Sequence, residues 1–289
     1  MRIVMTLLVR DEEDVVESNI DFHLAQGVDF IIATDNLSVD RTPDILRRYE
    51  RRGVLRYIHE PADDYSQSAW VTRMARLAAT EHGADWVINN DADEFWMPER
   101  GTLRQVFAAV PPPLGVVEVR RHNFVAVEGA GAFQDRMIWR EAVSLNALGH
   151  PLPPKVAHRA SAGVEVAQGN HAVTGVFPPM VGTAGLEILH FPLRHRMQFI
   201  NKIAKGGAAY ARNTTLGQDV GGTWRALHAR LGAGPGLDPF LDEAVHGHDR
   251  IVQRLAAREL VEDRRLADYL RGWRVNARET LAPHVPENA

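Results

Sequence analysis

An apolar run over residues 3–9, bounded by charge, predicts a buried first strand. Behind it, Asp11-Glu12-Glu13 puts acids at the positive end of a helix. Its buried side repeats as Val16, Ile20 and Leu24, and Gly27 stops it. Phe30 to Ala33 reads as a second strand and Asp35 to Asp40 as a polar loop. Thr42-Pro43 opens a second helix carrying Ile45, Leu46 and Tyr49. Leu55 to Ile58 is a third strand. Trp70, Met74, Leu77 and Ala78 mark a third helix, Gly83 ends it, and Trp86 to Ile88 is a fourth strand. Such alternation predicts an α/β fold with a mostly parallel central sheet flanked by helices. Beyond Pro111-Pro112-Pro113 the alternation stops. Val116 to Val119 is another strand, 120–190 is β-rich with long loops, and Glu187 to His190 is a strand ending on a histidine. Helical spacing returns at 197–203 and, heavily charged, over 249–275 with Ile251, Leu255 and Leu260 as anchors. Gly232 to Gly236 is a linker and 283–289 a loose tail. The expected division is an α/β domain over 1–225 and a helical C-terminal extension over 226–289.

In open α/β sheets, ligands sit beyond the carboxyl ends of the strands. The chain concentrates its polar groups there: Arg10-Asp11 after the first strand, Asp35-Asn36 after the second, and Asp91, Asp93 and Glu94 after the fourth. Three carboxylates within four residues repel one another and lose much if buried unpaired. At a strand end they are expected to hold a cation. Hard oxygen ligands suit Mg²⁺ or Mn²⁺, with substrate phosphates completing the shell. The pattern points to a metal-assisted enzyme acting on a phosphate-bearing donor.

Composition narrows this further. With 289 residues and a formal net charge of −4, bulk electrostatics give no reason to expect nucleic acid as a partner. The chain has no cysteine, which excludes disulfides, thiolate metal sites and cysteine nucleophiles. The first apolar run is too short to span a bilayer and lacks a cleavage site, and no later stretch reaches ~20 apolar residues. A cytoplasmic protein is expected. Peripheral membrane contact through the C-terminal helices and the oligomeric state stay open.

The first half resembles glycosyltransferases of the GT-A fold, in particular the family 2-like group. Leu8-Val9-Arg10-Asp11-Glu12-Glu13 is similar to that group's first strand and Asn-Glu-Glu turn, with Asp11 in place of Asn. Thr34 to Thr42 is similar to its Asp-Asp-Gly-Ser-x-Asp-Gly-Thr loop, with Leu37 and Arg41 where that pattern has glycine. Asp91-Ala92-Asp93-Glu94-Phe95 resembles its Asp-x-Asp metal motif. The resemblance covers residues 3–97 well and 150–205 loosely. It implies a Rossmann-like GT-A domain that moves a sugar from a nucleotide-sugar donor to an acceptor hydroxyl, with inversion favoured. It further implies Asp35 at the nucleotide base, Asp93 on the metal, Asp91 on ribose or metal, and a late histidine completing the metal shell. His190 is the candidate for that ligand. Chemistry agrees, since a divalent ion across two phosphates stabilises a departing diphosphate.

Further candidates are weaker by pattern. Arg10, Asp11 and Asn36 sit where the nucleotide would lie, against plainer readings as a helix start and an Asx turn. Arg73 on the third helix and Lys155 after Pro153-Pro154 could each reach a phosphate. A catalytic base is expected among Glu187, Glu94 and His171, with Asp135 and Asp219 open. The acceptor is expected to be a glycan or small molecule. Rival readings are a metal-dependent phosphate-ester hydrolase and a non-catalytic glycan- or nucleotide-binding module. Glycine-rich loops of dehydrogenases and P-loop enzymes are missing.

Overall fold

The computed structural model describes residues 1–217 and 220–272. Asp219, one of the open base candidates, and the 283–289 tail lie outside them. The elements run β1 (Ile3–Val9), α1 (Val16–Ala25), β2 (Phe30–Asp35), α2 (Thr42–Arg51), β3 (Leu55–His59), α3 (Gln67–Thr80) and β4 (Trp86–Asp91). There follow β5 (Glu94–Pro98), α4 (Leu103–Ala109), β6 (Leu114–Asn123), β7 (Ala126–Val127), α5 (Phe133–Arg136), β8 (Trp139–Glu141) and β9 (Lys155–Arg159). Next come β10 (Glu165–Val166), β11 (Val173–Thr174), β12 (Met180–Gly182), β13 (Leu186–His190) and α6 (Arg196–Arg212). The last are α7 (Gly222–Leu231), α8 (Asp238–Ala244), β14 (Val245–His246), α9 (His248–Ala256) and β15 (Leu260–Glu262).

The main sheet has the order β3-β2-β1-β4-β9-β6-β13-β5, with β12 beside β6. Strands β1 to β4 are parallel, and β9 is antiparallel to both β4 and β6. Odd residues of β1 (Ile3, Met5, Leu7) pack with Val16 and Ile20 of α1 and Leu46 of α2. Val4 packs on the other face with Ile32, Val87 and Met74 of α3. The strand period of two thus sends consecutive residues into two cores, one on each face. This is the expected α/β architecture, with its parallel half read correctly element by element.

The register fixes where the site lies. Leu8 of β1 pairs with Thr34 of β2 and Asp91 of β4, and Val9 pairs with Asp35. The three carboxyl ends therefore finish level on one edge. The chain then turns through Ala92 and Asp93 into β5, where Glu94 opposes His190 of β13.

Three sequence readings need correction. The 249–275 helix is broken: α9 stops at Ala256, Arg258 takes a left-handed conformation (φ 59°), and β15 pairs antiparallel with β8. Helix resumes at 265. Leu260 is buried with Val125 and Ile251, so it anchors a strand rather than a helix face. The boundary at 225/226 falls inside α7. The C-terminal elements also do not stand apart from the α/β domain. Leu227, Leu237 and Leu241 share a core with Ala126, Phe199 and Ile203, and β14 pairs with β7. Among the described residues no helix is long and apolar enough to cross a membrane.

Candidate active site

A cavity of about 1560 Å³ opens at the edge where β1, β2 and β4 end. Its acidic wall is held from behind by a buried amide network. Asn19 of α1 donates to the carbonyl oxygens of Ala92 (2.9 Å) and Glu94 (2.7 Å) and accepts from Asn90 (3.0 Å). Asn90 in turn accepts from the Trp96 indole at 3.0 Å. A buried, fully bonded network of this kind fixes backbone position. It aims Asp91 and Asp93 into the cavity.

The basic wall meets the acidic one directly and comes from distant parts of the chain. Lys155 of β9 donates to Asp91 and lies 3.3 Å from Glu94. Lys202 of α6 donates to Asp93 at 2.5 Å and lies 3.5 Å from Glu12. Lys205 donates to Asp11. Arg194, with no exposed surface, binds both Glu12 and Asp14 and sits 3.9 Å from Asp93. Burial opposes the charge on Asp93, but Lys202 and Arg194 outweigh it and hold the carboxyl well below its usual range. Asp11 is held low in the same way: Lys205, the Val39 N–H and Asn201 outweigh its burial. Its backbone is left-handed (φ 54°), and its side chain ties β1 to the 36–40 loop through the Val39 N–H at 2.8 Å.

His190 lines the cavity between the two walls. Its Nδ1 faces the Asn123 side-chain oxygen at 2.7 Å. The Asn123 nitrogen is committed to the Leu145 carbonyl (2.8 Å) and Glu141 (3.3 Å), so its oxygen is what His190 meets. Nδ1 must therefore carry the proton, leaving an Nε2 lone pair 3.8 Å from an Asp93 oxygen. Burial, only partly opposed by Asp93, pushes His190 down to about 3, so the ring is neutral. His171 is built alike. Nδ1 donates to the Pro154 carbonyl at 2.7 Å, and burial, with Lys155 nearby, pushes the ring down to about 4.

The structure brings Arg10, Asp11, Asn36, Asp91, Asp93, Lys155, His171 and His190 to the cavity wall. Five other expected residues are placed elsewhere. Asp35 is buried, accepting from the Ser38 N–H (3.2 Å) and the Tyr57 hydroxyl (3.0 Å). Arg73 points outward from α3 and binds Glu60 at 2.9 Å, because Trp70, Met74 and Ala75 take the face toward the sheet. Glu94 has no exposed surface and lies beneath Lys155 and Arg121, each 3.3 Å away. Burial and Asp91 push it up to about 7 despite Lys155. It pairs with those two cations and does not line the cavity. Glu187 binds Arg265 at 2.7 Å and lies 3.4 Å from His122, outside the cavity. It is three residues from His190, and strand alternation sends the two to opposite faces. Asp135 pairs with Arg271 at 3.4 Å, also outside. Asn36 reaches the wall, but its amide is spent on the carbonyls of Glu60 (3.1 Å) and Ala62 (2.6 Å). Arg10 pairs with Asp63 at 2.6 Å.

Sequence reading missed Asn19, Asn123, Arg121, Arg194, Lys202 and Lys205. No local motif marks them; each gains its role from a partner more than 25 residues away. An aromatic group was missed as well. Tyr65 (φ 53°), Tyr210 and Trp224 line the cavity, with Tyr65 4.3 Å from Tyr210 and 5.9 Å from Trp224, ring centre to ring centre.

Among the described residues no three of His, Cys, Asp and Glu gather closely enough to grip a metal. The donor chemistry nevertheless suits one at Asp93 and His190. A carboxylate oxygen and an imidazole lone pair 3.8 Å apart are a distance that two bonds of about 2.1 Å can span. An ammonium, Lys202, now neutralises that oxygen.

A family model described as Glycosyl transferase family 2 matches residues 5–150, just over half of the chain. Among solved structures, the chain is similar to S. aureus TarS 1-349, with 10% identity, 75% of this chain and 67% of that chain covered, and a TM-score of 0.42. The same fragment in complex with UDP-GlcNAc gives 11%, 75%, 68% and 0.41. Glucosyl-3-phosphoglycerate synthase from Mycobacterium tuberculosis in complex with Mn²⁺, UDP and glucosyl-3-phosphoglycerate gives 15%, 74%, 81% and 0.37. No curated protein matches.

Proposed function

The chain belongs to glycosyl transferase family 2, and on that premise we propose that it transfers a sugar from a nucleotide-sugar donor to a hydroxyl of a glycan or small-molecule acceptor in the cavity beyond β1, β2 and β4. The observation that carries this reading is the level meeting of three parallel strand ends, with Asp11, Asp91 and Asp93 on the cavity wall and three lysines facing them. A departing nucleoside diphosphate gathers negative charge as the glycosidic bond breaks, and fixed cations aimed at that charge lower the barrier. Lys155, Lys202 and Lys205 are placed for this. Asp93 and His190 would hold a divalent ion, Mn²⁺ or Mg²⁺. Such an ion supplies Lewis-acid stabilisation of the same charge.

The base is assigned to His171. Of Glu94, Glu187 and His171, it is the one on the cavity wall. Its Nδ1–H is tied to the Pro154 carbonyl, which leaves Nε2 free to take the proton of the acceptor hydroxyl. A single base acting in a direct displacement yields inversion at the sugar carbon. Tyr65, Tyr210 and Trp224 give the cavity flat apolar surfaces suited to a sugar ring or a base.

The test is a thermal-shift panel of UDP, GDP, ADP and CDP, each with and without Mn²⁺. One nucleotide is expected to raise the melting temperature by several degrees, with a larger rise when Mn²⁺ is present. No shift for any of the four, in either condition, would overturn the donor assignment.

A further inference from the structure

Lys155 sets an ammonium against Asp91 and Lys202 sets one against Asp93, but they are held differently. Lys155 is 1% exposed, sits in the sheet, and is bracketed by Asp91 and the fully buried Glu94. Lys202 extends from a helix, and 23% of its side chain is open to the cavity side. Its two acids have a second cation. Arg194 binds Glu12 and lies 3.9 Å from the same Asp93 oxygen that Lys202 holds. Withdrawing Lys202 leaves neither acid without a positive neighbour. That shared oxygen is also the one the His190 lone pair faces.

We infer that Lys202 is a displaceable counter-ion: it neutralises Asp93 in the empty site, yields that oxygen to a divalent ion arriving with a nucleoside diphosphate, and turns its ammonium to the phosphates. The inference rests on the donor reading above and adds an energetic link to it. A metal ion alone must evict an ammonium that has no better partner. With a diphosphate present, the evicted ammonium gains one, so metal and nucleotide bind cooperatively through Lys202. Arg194 remains in place throughout as the permanent partner of Glu12 and Asp14.

Mn²⁺ uptake, read as loss of the free-ion EPR signal, tests this without any turnover. Wild type, Lys202→Gln and Lys202→Arg are titrated alone and with saturating UDP, GDP, ADP or CDP. Wild type is expected to bind Mn²⁺ weakly alone and roughly tenfold or more tightly with the right nucleotide. Lys202→Gln is expected to bind Mn²⁺ alone about tenfold more tightly than wild type, with the nucleotide's enhancement shrinking by a similar factor. Lys202→Arg, which keeps the charge, should retain the weak metal-only binding. Mn²⁺ affinity in a folded Lys202→Gln no higher than in wild type overturns the inference. If that variant does not fold, the wild-type titrations decide, since equal Mn²⁺ affinity with and without a bound nucleotide overturns it too. Failure of every nucleotide to bind, at any Mn²⁺ concentration, overturns the donor reading and this inference together; nucleotide binding without the Lys202 effect overturns this inference alone.

Discussion

The two walls of the cavity are built on opposite plans. The acidic wall is short-armed and backbone-fixed: Asp91 and Asp93 stand at one strand end, pinned from behind by Asn19. The basic wall is long-armed and assembled from β9, the 191–195 turn and α6. Behind it, Arg194 is sealed from solvent, while Lys202 and Lys205 line the cavity and keep part of their side chains exposed. Buried carboxylates are tolerable when paired, and removing one partner of a buried pair costs far more than the pair contributes. The comparison teaches that the basic wall performs two tasks with different residues. On the proposed reading, Arg194 makes the acids foldable and the lysines leave them available to ligand.

That division can be broken at Arg194. Arg194→Met removes the main partner of Asp14 and leaves buried Glu12 to Lys202 alone, and is expected to cost about 3–5 kcal/mol of stability. Lys202→Gln, by contrast, should cost within about 1 kcal/mol, as expected for a partly exposed pair. Urea denaturation of both variants checks the contrast, and equal losses would show that the two cations are not doing separate jobs.

A second contrast separates His171 from Glu187. His171→Ala is expected to lower turnover about a hundredfold or more, as loss of a general base does, with nucleotide binding retained. Glu187→Gln, outside the cavity, should leave turnover within about twofold and shift only the melting temperature, by loss of a partly exposed ion pair. Steady-state kinetics on the two variants decides, and the reverse ranking would return the base to Glu187.

A further effect is expected with pH, and it comes from behind both walls. His23 accepts from the Trp96 N–H beneath the acidic wall, and His158 lies on the strand that carries Lys155. Burial pushes each down to about 4, and neither has exposed surface. Below the ordinary histidine value the unfolded chain takes up protons that the folded one refuses. Their stabilisation is thus full above about pH 6.5 and lost as pH falls toward 4. Each should cost on the order of 1–2 kcal/mol by pH 5. Glu94, pushed up to about 7, works in the opposite sense, since its folded form prefers the proton. The melting temperature is expected to fall between pH 6.5 and 5; a flat profile would mean that these imidazoles ionise freely.

What could be read beforehand follows the same divide. The parallel half was legible because strand-end chemistry is local: the acids follow apolar runs directly, and the 5–150 family match covers that stretch. Leu37 takes a left-handed backbone (φ 61°), a conformation that strains a residue with a Cβ, at the place where the resembled loop pattern has glycine. The basic wall was not legible, because a lysine on α6 looks like any solvated lysine until folding supplies Asp93. Two signals were present and unused. Thr102 and Gln105 form a capping box that announces α4. The period of two in β13 forbids Glu187 and His190 from facing the same cavity. The break at Arg258 had no such signal, since charged residues continue on either side of it.

Two glycines in α6 carry one last implication. A methyl group on Gly206 would lie 2.5 Å from the Trp224 ring, and one on Gly207 would lie 2.3 Å from His228. Helix α7 therefore rests almost on the bare backbone of α6, which can neither roll about its axis nor slide without a collision. The azimuth of Lys202 and Lys205 is set by that clamp, so even a substitution as modest as alanine at either glycine would swing both amines away from the acids they pair with.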